Sequence, residues 1–157
     1  MAGAAETIHA TAIALAGRAA LIVGPSGSGK SDLALRCIAH PPGDLFPASA
    51  VLVADDQTVL EACDGTILAS APPSIRGKLE IRGLGIMTLP FVAQAPVALV
   101  VEPTGRDRVE RLPDPWPCVT LGGARFPALR IDPFESSAHL KVLLALSGLM
   151  RLGHPDG

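Results

Sequence analysis

The segment Gly24-Pro25-Ser26-Gly27-Ser28-Gly29-Lys30-Ser31 constrains this chain more than any other, because it matches the spacing G-x-x-x-x-G-K-[ST] in full. It follows the apolar run Leu21-Ile22-Val23. It precedes Lys30 to Ala39, which reads as a helix with Leu33, Ala34 and Cys37 on one face. Strand, glycine-rich loop and helix in that order make an anion cradle. The glycines let successive N–H groups turn inward, and the helix start adds a favourable dipole. Lys30 suits the β- and γ-phosphates of a nucleotide, and the Ser31 hydroxyl suits Mg²⁺. ATP and Mg²⁺ are the expected ligands of residues Gly24 to Ser31. The loop names a ligand class and leaves the reaction open.

The rest of the chain reads as α/β. Ala10 to Leu15 and Ala19 to Val23 are expected strands, as are Val51 to Ala54, Val97 to Val101 and Ala128 to Ile131. Thr58 to Ala62 and Thr66 to Ala69 flank Asp64-Gly65, a hairpin signal. Pro72 to Lys78 is expected to be a turn or short helix. Ser136 to Arg151 is expected to be the terminal helix, capped by Ser136 or Ser137, with Leu140, Leu143, Leu144 and Leu146 facing inward. Strands and helices alternate only in part, so a twisted mixed sheet with flanking helices is expected. With 157 residues, 48% of them apolar, the chain suits one domain over 1–157, with a core of about residues 7–150.

Charge and composition narrow the partners. Thirteen basic and fifteen acidic residues give a net charge of −2, which argues against a nucleic-acid coat or a polybasic membrane binder. No stretch approaches the ~20 apolar residues of a spanning helix, and MAGAAETIHA has no basic segment followed by an apolar run. Cys37, Cys63 and Cys118 are odd in number and widely spaced, which suits reduced thiols. The expectation is a cytoplasmic protein without membrane or nucleic-acid partners.

The remaining polar positions leave alternatives open. Asp55-Asp56 ends an apolar strand. The pair suits a solvated turn, or a division of labour in which one carboxylate orients metal or water while the other accepts a proton. His9, His40, His139 and His154 each read as lone surface or hydrogen-bonded histidines. Arg106, Arg108 and Arg111 form either a solvated basic face or a clamp on transferring phosphate.

Taken together, these stretches resemble the catalytic domain of HPr kinase/phosphorylase. His9 stands fifteen residues before Gly24, the loop ends Gly29-Lys30-Ser31, and a strand ends Val53-Ala54-Asp55-Asp56. Glu80-Ile81-Arg82-Gly83-Leu84-Gly85-Ile86 reproduces that family's most specific signature in full. The resemblance implies phosphate transfer from ATP to a serine of the phosphocarrier protein HPr, in regulation of carbohydrate metabolism, and in many members a reverse reaction with inorganic phosphate. It implies that Asp56 accepts the serine proton, that His9 and Lys30 are active-site groups, and that Ser31 and Glu80 hold Mg²⁺. Arg111 would stabilise transferred charge, while Asp55, Arg82 and Gly83 would line the nucleotide site. It also implies a nucleotide site similar to that of phosphoenolpyruvate carboxykinase, and assembly into hexamers.

The sequence departs from the family in places. Asp32 replaces a glutamate, the loop His40 to Ser49 is longer, and the segment after Ile86 is shorter. Pro133-Phe134-Glu135-Ser136-Ser137-Ala138 lacks both arginines of a family stretch linked to dephosphorylation. No counterpart of the N-terminal domain of larger members is expected. The expectation is therefore a kinase with weak or absent phosphorylase activity. A kinase or ATPase with another acceptor and a non-enzymatic ATP-binding sensor are the alternatives.

Overall fold

The computed structural model describes residues 4–148. In chain order the strands are β1 (Glu6–Leu15), β2 (Arg18–Val23), β3 (Val51–Ala54), β4 (Gln57–Cys63), β5 (Thr66–Ser70), β6 (Lys78–Ile81), β7 (Gly85–Thr88), β8 (Gln94–Pro103), β9 (Cys118–Leu121) and β10 (Ala124–Ile131). Helix α1 (Lys30–Ala39) follows β2, and α2 (Ala138–Ser147) follows β10. Seven strands run β2-β1-β4-β5-β8-β10-β9, with β3 added on β1 and with β8 also paired to β2. The pairing of β8 with β2 closes a circuit through β1, β4 and β5.

The sheet is mixed, as expected. β2 pairs parallel with β8, and β8 parallel with β10. β1 pairs antiparallel with β2, β3 and β4. Because β2 and β3 both run opposite to β1, they point the same way, and so do β8 and β10. The carboxyl ends of β2, β3 and β10 therefore emerge at one edge, where α/β sheets characteristically place their ligands.

Two cores flank this sheet. Ile13, Leu15, Ile22, Leu33, Cys37, Leu99, Val101, Val142, Leu143 and Leu146 pack between sheet and helices. The other face buries mainly small residues, among them Ala10, Ala12, Ala14, Ala19, Ala69 and Ala95 with Leu21, Val53 and Val97. Strand β1 serves both cores by simple alternation of its side chains. In β8, Ala95 and Val97 face one core while Leu99 and Val101 face the other. Ala98 explains the switch: Ala19 pairs Val97 but Ala20 pairs Leu99, and one inserted residue reverses the faces.

Several sequence readings need correction. β1 begins at Glu6, so His9 lies within the first strand and pairs with Gln57. β6 and β7 form a separate two-stranded sheet out of the glycine-rich signature. β9 was not expected; it pairs with β10 across Gly122-Gly123. Of the leucines expected to face inward on α2, Leu143 and Leu146 are buried, whereas Leu140 and Leu144 are partly buried against the same core. Ser137 is the N-cap residue, and its hydroxyl donates to Glu135 Oε1 instead of capping the helix. Residues 149–151, expected on this helix, and His154 lie outside the described residues. Cys37 is buried, while Cys63 and Cys118 are half-buried; all three are free.

Candidate active site

The edge where β2, β3 and β10 end carries a cleft of about 560 Å³. Its floor is the loop after β2. Gly24 has φ 140°, and a Cβ there would stand 2.7 Å from Ser28 Oγ, so only glycine fits. The buried Ser28 Oγ makes no hydrogen bond. Lys30 opens α1, yet its side chain is 4% exposed. Its Nζ donates to the carbonyls of Gly24 at 2.6 Å and Pro25 at 2.9 Å, and lies 3.4 Å from Asp56 Oδ1.

The end of β3 supplies two carboxylates in different surroundings. Asp55 is buried and fully engaged. Its Oδ1 accepts from Ser31 Oγ at 2.6 Å and Thr11 Oγ1 at 3.1 Å, and its Oδ2 accepts from the Glu80 N–H at 3.0 Å. Asp56 is half exposed and adopts φ 62°, a left-handed conformation that a non-glycine residue holds only when its neighbours enforce it. The enforcement is visible. The Gln57 N–H donates to the Asp55 carbonyl at 2.7 Å, closing a γ-turn around Asp56. The Asp56 N–H donates to Thr11 Oγ1 at 3.0 Å, and its carbonyl accepts from Ala10 at 3.1 Å.

The structure thus gathers most of the expected residues. Ser26, Gly27, Gly29, Lys30, Ser31, Asp55, Asp56, Glu80 and Arg82 line the cleft. Gly24, Pro25 and Ser28 complete the loop. His9 is exposed and shares a face of β1 with Thr11, whose hydroxyl donates to the Asp55 carboxylate and accepts from the Asp56 backbone N–H. Gly83 sits in the β6–β7 turn and does not line the cleft. Arg111 lines a second pocket of about 210 Å³ beside Trp116, Leu129 and Leu144. Sequence reasoning missed Thr11, Arg36 and Phe134. The guanidinium of Arg36 donates to the carbonyls of Pro133 and Glu135 and pairs with Asp32, fastening the end of β10 to α1. No local pattern marks such long-range contacts.

Three groups behind the cleft have shifted proton affinities. Burial pushes the Cys37 thiol up to about 12, which leaves it inert. A hydrogen bond from Lys141 holds Glu135 below the usual carboxylate range. Burial, with Arg36 and His40 nearby, holds His139 below the usual histidine range. Among the described residues, no group of three or more His, Cys, Asp or Glu gathers as a metal cage. Mg²⁺ does not require one, since it is commonly held by one or two carboxylates plus phosphates and waters. The oxygens of Ser31, Asp55 and Glu80 suit that mode, and the unpartnered Ser28 hydroxyl suits a phosphate oxygen.

Residues 2–92 match the family described as HPr Serine kinase C-terminal domain. The chain belongs to this family. HPr kinase/phosphorylase of Bordetella petrii is 32% identical over 118 residues, covering 68% of this chain and 36% of that protein. The Clostridium tetani protein of the same name is 38% identical over 83 residues, covering 53% of this chain and 25% of that protein. The chain thus matches about a quarter to a third of the length of these relatives. The Hpr(Ser) kinase/phosphatase structure from Coxiella burnetii shares the fold of this HPr kinase family domain, with a TM-score of 0.74 at 24% identity over 90% of this chain and 89% of that one. Among the described residues no helix is long and apolar enough to cross a membrane.

Proposed function

We propose that this domain is a Mg²⁺- and ATP-dependent serine phosphotransferase with HPr as its acceptor. The observation that carries the reading is the Lys30–Asp56 pair at the mouth of the glycine-rich loop, with Asp55 and Ser31 bonded behind it. Asp56 is half exposed at the cleft, where an incoming serine hydroxyl can reach it and pass it a proton. Lys30 neutralises phosphate charge, and a phosphate in the loop competes with the two carbonyls that hold its ammonium. Ser31, Asp55 and Glu80 would hold Mg²⁺, which would supply positive charge against the phosphates. Thr11 keeps the two carboxylates in register, and His9 borders the Asp56 turn. Arg111 is proposed to stabilise the transferring group, which requires the segment 106–117 to deliver it from its separate pocket.

Weak or absent reversal accompanies this reading. The segment 133–138 offers inorganic phosphate no cation of its own, and Glu135 is bound at 2.7 Å by Lys141. Arg36, which touches the segment, is committed to its backbone and to Asp32.

Incubation with HPr and labelled ATP, with and without excess phosphate, tests both halves. Label on an HPr serine, with little pyrophosphate released when phosphate is added, is the expected result. ATP consumption without labelled HPr would replace the acceptor, and ATP binding without turnover on any acceptor would make the domain a sensor.

A further inference from the structure

We infer that Phe134 is the platform on which the base of the bound nucleotide stacks. The inference rests on the nucleotide reading above and adds how the far end of that ligand is held. Phe134 is one of five aromatic residues in the chain, yet it is 73% exposed. It lines the cleft just beyond the carboxyl end of β10. Its ring reaches across to the loop: a Cβ on Gly29 would stand 3.2 Å from Cε1 and 3.4 Å from Cζ. Gly29 has φ 88° besides, so glycine at this position serves both the backbone and the ring.

The platform is held firmly from behind. The Phe134 N–H donates to Asp132 Oδ1 at 3.0 Å, and the flanking carbonyls of Pro133 and Glu135 both accept from Arg36. A large ring fixed by its backbone and left open to water is suited to an apolar face that comes and goes.

Position argues which face. Asp56, which would meet the acceptor, follows the end of β3, and Glu80 and Arg82 come from β6 and its end. Phe134 instead borders the α1 side of the cleft, with Asp32 and Leu35. A nucleotide with its phosphates in the loop and its reacting end at Asp56 leaves its base for the other side. There, Asp32 is paired with Arg36 at 3.0 Å and is poorly placed to read a base edge. The base is therefore gripped by its flat surface, an interaction open to any base.

Titration calorimetry with Mg²⁺, using ATP and base-free tripolyphosphate as probes, tests this on the full chain. Phe134→Ala is expected to weaken ATP binding about tenfold or more while leaving tripolyphosphate within about twofold, and Phe134→Trp is expected to restore ATP. Unchanged ATP affinity in Phe134→Ala overturns the inference, including the case where the variant raises only the KM for the protein acceptor. Equal loss for both probes overturns it too, since the effect would then lie in the loop. Wild-type protein that binds tripolyphosphate as tightly as ATP refutes the inference and spares the phosphate-loop reading. Wild-type protein that binds neither removes both.

Discussion

The cleft and the second pocket lie on either side of the end of β10, and they are built differently. In the cleft, strand ends deliver the polar groups and neighbouring backbone fixes them. Asp55 has three hydrogen-bond donors, and Asp56 is forced into an unusual backbone conformation by Thr11, Ala10 and Gln57. In the second pocket, Arg108 and Arg111 come from a proline-rich connection and are exposed over an apolar floor of Leu129 and Leu144. The first arrangement is organised before any ligand arrives, which is what stabilising developing charge requires. The second presents charge without fixing it.

The sharpest way to break that contrast is at Asp56. Asp56→Ala is expected to lower phosphotransfer to HPr by about 10³-fold, near the middle of the range for losing a general base, with ATP affinity changed only a few-fold. Transfer at the wild-type rate would remove Asp56 from the chemistry. Next in size is Arg111→Ala, expected to lower kcat by roughly ten- to a hundredfold while ATP affinity stays constant. An unaltered kcat would show that the two pockets act separately. Thr11→Val keeps the shape and removes the hydroxyl that bonds both aspartates. It should cost about 1–3 kcal/mol of stability in urea denaturation, and a neutral result would mean that the γ-turn does not depend on Thr11.

The smallest effect concerns His139, behind the cleft. Its folded pKa is depressed, so the unfolded chain takes up a proton near pH 6.5 that the folded chain refuses. Stability is then full above about pH 6.5 and falls as the pH drops towards the folded value. Tm is expected to fall as the pH drops from about 7.5 to about 5.5, and His139→Gln should flatten the profile. An equally steep profile in the variant would assign the slope to other groups.

These contrasts also show what could be read from the sequence. Helix α1 matched residue for residue, because its amphipathic face and the preceding glycines agree with each other. The Asp64-Gly65 hairpin was legible for a similar reason, since turn chemistry and flanking strands coincide. The β6–β7 hairpin was not. Every residue of β7 is exposed, so no alternation betrays it. β9 carried a usable signal in Gly122-Gly123 that went unread. In the cleft, the spacing of the loop and the Asp55-Asp56 pair picked out residues that the structure brings together. The left-handed turn at Asp56 and the clamp from Arg36 did not show, because each depends on partners distant in the chain.

The closed strand circuit has a consequence for motion. β1 and β8 each pair with three strands and border both cores, so neither can detach without opening the whole molecule. Their central amides, around Ile13 and Leu99, should therefore exchange with solvent deuterium only through global unfolding. The loop and Asp56 are attached to that slowest-exchanging part of the chain. Movement should be confined to the rim, to the β6–β7 hairpin and the segment 106–117, while the floor of the cleft stays still.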